Sequence, residues 1–195
     1  IYGMKNWYLY LDSDELFVYK KMENNNIENI INNLMEKEMD RIATITLDMY
    51  SEKEIFKVSP ENKSIIEEFR YFDSNSYIKK NGVKGTELRG GPRHRVMNNS
   101  KDWEGPLLIK HPLFYFEQGD IFESAHYIFP FQEESIIGGA LLHYKFLESD
   151  LNRYREIAKE GNFAGGSRAY KYYLASYEAN SNLNFMYDGS VEYVN

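Results

Sequence analysis

The run Trp7-Tyr8-Leu9-Tyr10-Leu11 is apolar, aromatic and of strand character, and it stops abruptly at Asp12-Ser13-Asp14-Glu15. Residues 5–11 are therefore predicted as a strand and 12–17 as its polar edge. Asn24-Asn25-Asn26 offers cap and turn chemistry. Ile27, Ile30, Ile31, Leu34 and Met35 follow at helical spacing, which predicts an amphipathic helix over 27–39. The β-branched run Ile42 to Leu47 reads as a strand, so strand, helix and strand together suggest a βαβ unit.

Residues 51–83 are polar and weakly periodic, and read as a surface excursion pinned by Tyr71, Phe72 and Tyr77. Gly82, Gly85, Gly90, Gly91 and Pro92 punctuate a second irregular zone. Short strands are predicted at 107–109 and 113–116, around Pro112, and a further strand at 140–147 after Gly138-Gly139. Ser149 is placed to cap a helix carrying Leu151, Tyr154 and Ala158 on one side. Ser167 is placed to cap another, with Tyr170, Tyr173, Leu174 and Tyr177 inward. Without an internal repeat or a linker, the pattern reads as one α/β domain over 1–195.

Composition narrows the function. A chain of 195 residues is long enough for a real core. The 17 tyrosines and 12 phenylalanines suit half-buried walls and sugar-facing clefts, although core packing accounts for most of them. A formal charge of −7 argues against a nucleic-acid partner, which demands a basic face. The absence of cysteine excludes disulfides and zinc–thiolate sites and points to a reducing, cytoplasmic setting. No run approaches the roughly 18 apolar residues of a spanning helix, and no charged-then-apolar leader is present. Membrane association would then come through partners.

Four constellations could carry chemistry. Asp12 and Asp14 at a strand end repel each other unless a cation or donor intervenes, and hard divalent ions such as Mg²⁺ or Mn²⁺ take such oxygens together with substrate phosphates. A solvated turn is the plain alternative, and an EF-hand is a poor fit because Phe17 stands at its glycine position. In 140–147, His143 and Lys145 would share a strand face away from the core, one a fair Mn²⁺ ligand and the other a point charge for phosphate. Arg89-Gly90-Gly91-Pro92-Arg93-His94-Arg95 combines close backbone approach with guanidinium groups suited to an anion. An ordinary turn with solvated charges is nearly as good a reading. Lys110-His111 and His126 form the fourth set, with His94 and His111 read as structural. There is no nucleophile elbow and no thiol.

These segments, taken in order, resemble the bacterial glycosyltransferase family 2-like proteins: Trp7 to Phe17, Leu47-Asp48-Met49-Tyr50, Arg89 to Arg95, Leu108 to Leu113, Ser124-Ala125-His126, and Gly139 to Phe146. The resemblance implies a GT-A fold, a Rossmann-like mixed sheet with flanking helices. It also implies transfer of a sugar from a nucleotide-sugar donor to a glycan or other hydroxyl acceptor, with Mn²⁺ or Mg²⁺ as cofactor. Carried over, Asp12 contacts the donor ribose or sugar, Asp14 ligates the metal, and His143 completes a metal set of Asp12, Asp14 and His143, with His126 as second choice. Glu15, Arg89, Gly90, Gly91, Arg93, Lys110, His126 and Lys145 are the expected donor- and acceptor-binding residues.

The catalytic base is open among Asp48, Asp102, Glu104 and Asp120. GT-A enzymes carry their nucleobase pocket before the DxD strand, so this chain reads as a truncated, C-terminal part with weak donor binding and little activity alone. A metal-dependent phosphohydrolase using Asp12, Asp14 and His143, and a non-catalytic carbohydrate-binding module, are the competing expectations.

Overall fold

The computed structural model describes residues 3–59, 64–82, 84–98, 103–131 and 137–194. In chain order these form β1 (Asn6–Leu9), β2 (Glu15–Tyr19), α1 (Ile27–Glu36), β3 (Arg41–Met49), α2 (Ile65–Glu68), β4 (Tyr71–Asp73), β5 (Tyr77–Gly82) and β6 (Gly85–Gly90). Then follow α3 (Gly91–Met97), β7 (Ile109–Phe116), β8 (Ile121–Ser124), β9 (Tyr127–Phe129), β10 (Ile137–Tyr144), α4 (Asp150–Glu160), α5 (Ala164–Ala179) and β11 (Ser190–Glu192). The chain is mixed α/β. It divides into two compact units, one of residues 1–47, 79–88 and 107–142, the other of 48–78, 89–106 and 143–195.

The first unit is organised by a five-stranded sheet in the order β1-β7-β3-β10-β2. β1 and β3 both pair antiparallel with β7, so they run in the same direction with β7 between them. The expected crossover from β1 through a helix to β3 is therefore interrupted by β2 before α1. β2 forms the opposite edge of the sheet from β1.

Pro112, expected to split two short strands, instead lies inside β7. Ile42 pairs with Leu113 but Thr44 with Lys110, so β7 carries an extra residue at His111-Pro112. A bulge is one of the few places where a sheet tolerates a residue without an N–H. There the His111 N–H donates to Ala125 O at 2.7 Å.

The core beneath the sheet follows the expected helical spacing. Ile30 and Leu34 of α1 pack with Phe17, Ile42, Leu113 and Leu141. Asn26 caps the helix, its side-chain oxygen accepting from Asn29 N at 3.0 Å. Gly139 lets β10 approach β2 closely, since a Cβ there would lie 2.6 Å from Val18 O.

The second unit has an aromatic core in which Tyr50, Phe56, Trp103, Phe146, Tyr154, Tyr173 and Phe185 are all buried. The α4 and α5 faces predicted from spacing supply Tyr154, Tyr173 and Leu174, with Leu151, Tyr170 and Tyr177 packed against them. Ser149 precedes α4 but makes no side-chain cap bond. Ser167 is buried and sits after two left-handed glycines, its hydroxyl accepting from Phe163 N at 3.2 Å.

The segment 51–83 departs from expectation. Ile55, Phe56, Val58 and Phe69 are each no more than 4% exposed, so its described residues build core rather than cross the surface. Its apolar residues are spaced irregularly because they come from turns and bends, where neither a 3.6- nor a 2-residue period applies.

Candidate functional site

Asp12 to Asp14 form the turn between β1 and β2, closed by a hydrogen bond from Glu15 N to Asp12 O at 3.1 Å. Glu15 folds back, its carboxylate accepting from Asp12 N at 3.2 Å. The bulged strand β7 presents Lys110 to this turn. Its Nζ lies 2.6 Å from Asp12 Oδ2 and 2.6 Å from Glu15 Oε1.

The Glu15 side chain is 1% exposed and that of Asp12 is 46% exposed. The ammonium thus anchors one buried and one open carboxylate. Burial works against the Lys110 charge, but the carboxylates of Glu15 and Asp12 outweigh it and hold the group above its ordinary range. Asp14 is half-buried in the same turn. Three of the expected residues, Asp12, Glu15 and Lys110, are therefore in direct contact, although the sequence placed Lys110 98 positions from Asp12.

The second constellation lies in the other unit. Asp48, near the end of β3, is 5% exposed and has both oxygens engaged. Oδ1 lies 2.6 Å from His143 Nδ1, and Oδ2 accepts from Arg93 Nε at 2.7 Å. Arg93 Nη1 donates to Tyr173 Oη at 3.3 Å. Burial alone would raise the Asp48 carboxyl. The Arg93 charge and the His143 contact outweigh burial and hold it at about 2. A carboxylate so held is a poor proton acceptor, which counts against Asp48 as the base.

His143 departs from the expected surface strand. It is 5% exposed, and its neighbours Leu141, Leu142 and Tyr144 are buried too. Successive residues from Leu141 to Tyr144 are all buried, so both faces of this end of β10 are covered and no one-face-in, one-face-out alternation holds. The imidazole tolerates burial because Asp48 satisfies it. Lys145 falls beyond the strand end, with its ammonium 6.0 Å from the Tyr154 ring.

The Arg89–Arg95 stretch is the end of β6 and the helix α3, with Pro92 in the first turn, where a missing N–H costs little. Its cations are directed at the protein itself. Arg89 Nη1 donates to Gly105 O at 3.2 Å and lies near Glu104, with Nε at 3.8 Å. Arg93 binds Asp48, and Arg95 binds Asp73 through Nε at 3.0 Å and Nη2 at 2.8 Å.

Gly90 has φ +112°, and a Cβ on it would lie 2.4 Å from Ser76 O. The close approach that this glycine permits is therefore to the chain's own backbone. Gly91 N donates to Ser76 O at 2.9 Å, and a Cβ on Gly91 would lie 3.5 Å from Asp48 Oδ2. His126 Nδ1 donates to Ile109 O at 2.6 Å. His94 pairs with Asn98 and lies edge-on to Trp103.

Asp73 escaped the sequence reading. It is fully buried, it accepts from Tyr50 Oη at 2.7 Å and from Arg95, and Ser76 Oγ donates to it as well. A single acid after two aromatic residues carries no periodic signal. Of the remaining base candidates, Asp120 caps its own turn by accepting from Glu117 N at 2.8 Å, and Asp102 lies outside the described residues.

Asp12 and Asp14 belong to one unit and His143 to the other, and His143 is engaged by Asp48 within its own. Among the described residues, no three His, Asp or Glu side chains gather closely enough to hold a metal ion. No helix there is long and apolar enough to cross a membrane. No family model, no curated protein and no solved structure matches the chain.

Proposed function

We propose that the chain is a metal-dependent glycosyltransferase of GT-A type, with Asp12 and Asp14 at the donor diphosphate. The observation that carries this reading is the turn itself: just after a strand it carries Asp12 and Asp14, with Asp12 half-open to solvent and held by Lys110, whose ammonium also contacts the buried Glu15. Mg²⁺ and Mn²⁺ take one or two carboxylates and complete their shell with phosphate oxygens and water, so this reading needs no third protein ligand.

A divalent cation there would neutralise charge developing on the departing nucleoside diphosphate. Lys110 holds Asp12 in place and adds positive charge at the same edge. Glu15 ties the turn to the sheet, because one carboxylate oxygen accepts from Asp12 N within the turn and the other from Lys110 of β7.

The test is calorimetric titration of UDP- and GDP-sugars into the chain with Mn²⁺, and again with chelator. Cation-dependent binding that weakens at least about tenfold in Asp14→Asn is the expected result. Glycan binding indifferent to both chelator and Asp14→Asn would identify a carbohydrate-binding module instead. Mg²⁺-dependent phosphatase turnover without competition from nucleotide sugars would identify a phosphohydrolase.

A further inference from the structure

A cavity of about 410 Å³ lies beside α1 in the first unit. Its floor is apolar, made by Ile30, Leu34 and Ile42. Asn29, Asn33 and Lys37 recur at intervals of four along one flank of α1, so they line its rim in a row. Lys20 and Lys21, just after β2, supply two more ammonium groups. Among the described residues, the lining contains three lysines and no carboxylate. Glu23 lines the adjoining shallow cleft, which shares Asn25 and Asn29 with the cavity. This wall is held in shape by Tyr19, whose hydroxyl donates to Asn25 O at 2.8 Å.

We propose that this cavity binds a small organic phosphate, a phosphorylated sugar or nucleotide, with the phosphate at the lysines and the body along the asparagine row. Three ammonium groups along one wall favour a multiply charged anion, and a phosphate monoester carries close to two negative charges. Carboxamides both donate and accept, which matches hydroxyl groups or the edge of a nucleobase. The apolar floor accepts the flat or CH-rich face of a ring. The row from Asn29 to Lys37 spans about 12 Å, and the volume lies in the range of small-ligand sites.

The site is separate from the acidic turn. Glu15 opens β2 and Tyr19 closes it, about 13 Å further along the strand. The proposal therefore stands independently of the transferase reading.

The experiment is titration of the full chain, followed by calorimetry and amide chemical shifts, with inorganic phosphate, uridine monophosphate, glucose 6-phosphate, uridine and glucose. At least one organic phosphate should bind about tenfold or more tightly than inorganic phosphate and than its unphosphorylated parent. The shifts should fall on Asn29, Asn33 and Gly138, and the two organic phosphates distinguish a nucleotide from a sugar source. The double variant Lys20→Glu/Lys37→Glu, both exposed positions, should lose about tenfold or more, while Asp14→Asn should bind as the unmodified chain does. Organic phosphates no tighter than inorganic phosphate, binding that survives the double variant, or shifts centred on residues 12–15 would each overturn the proposal.

Discussion

His143 Nδ1 lies 2.6 Å from Asp48 Oδ1, and both side chains are buried. An ionised carboxylate can only accept, so this contact assigns the proton to Nδ1. In the neutral ring, the basic lone pair then belongs to Nε2. The same carboxylate neutralises buried Arg93 on its other oxygen. Asp48→Ala would therefore leave Arg93 as an uncompensated buried charge and should cost about 3–5 kcal/mol. Urea unfolding at pH 7 measures this directly, and a change below about 1 kcal/mol would contradict the ion pair.

The Asp48 carboxyl also gives the fold a dependence on acid. Its folded value is depressed from 3.8 to about 2. Its contribution is complete above pH 3.8 and is lost as pH falls through about 2, because the unfolded chain takes up the proton first. Roughly 2 kcal/mol of stability should disappear across that window. In Asp48→Asn this component should be absent from the pH–stability curve.

His111 titrates in a higher window. Burial, reinforced by the nearby Arg41 charge, pushes its imidazole down to about 4 from 6.5. The neutral ring is the folded form. Stability is complete above pH 6.5 and declines as pH falls to about 4, by about 3 kcal/mol. His111→Phe should flatten that part of the curve. An unchanged slope between pH 6.5 and 4 would show that His111 does not control it.

Much of this architecture is legible in the residues. The spacing of Ile27, Ile30 and Leu34 gives α1, and that of Tyr170, Tyr173 and Leu174 gives the inner face of α5. The strand ending at the Asp12–Asp14 turn is legible too, because its apolar run is broken by acids. Long-range pairing is not. Lys110 meets Asp12 and Glu15 from a strand almost a hundred residues further along the chain, beside the bulge at His111-Pro112, and local periodicity does not say which strands come together. The arginines of 89–95 look like an anion site in sequence. The partners of Arg93 and Arg95, Asp48 and Asp73, arrive from other strands, and isolated acids have no periodicity to give them away.

Gly139 tests the packing of the sheet. A Cβ at this position would lie 2.6 Å from Val18 O and 2.8 Å from the Phe17 ring. Backbone cannot yield without disturbing the β2–β10 neighbourhood. Gly139→Ala should therefore destabilise by about 1–3 kcal/mol despite the gain in strand propensity. Thermal unfolding monitored by near-ultraviolet circular dichroism would show it, and a stabilised variant would refute the close approach.

Lys110 separates the structural from the chemical role of the acidic turn. Its ammonium is the cation that neutralises Glu15, whose side chain is 1% exposed, while Asp12 stays half-open to solvent. In Lys110→Met the stem volume is retained and the charge removed, leaving Glu15 buried without its partner. The cost should be about 3–5 kcal/mol at neutral pH. Adding Glu15→Gln removes the stranded charge, so Lys110→Met/Glu15→Gln should be more stable than Lys110→Met alone. The difference, read from a double-mutant cycle in urea, is the coupling between the two. Asp14→Asn should leave stability within about 0.5 kcal/mol, because it removes a negative charge from an acidic turn without stranding a buried one. If Asp14→Asn were instead as costly as Lys110→Met, the acids of this turn would be serving the fold rather than a bound cation.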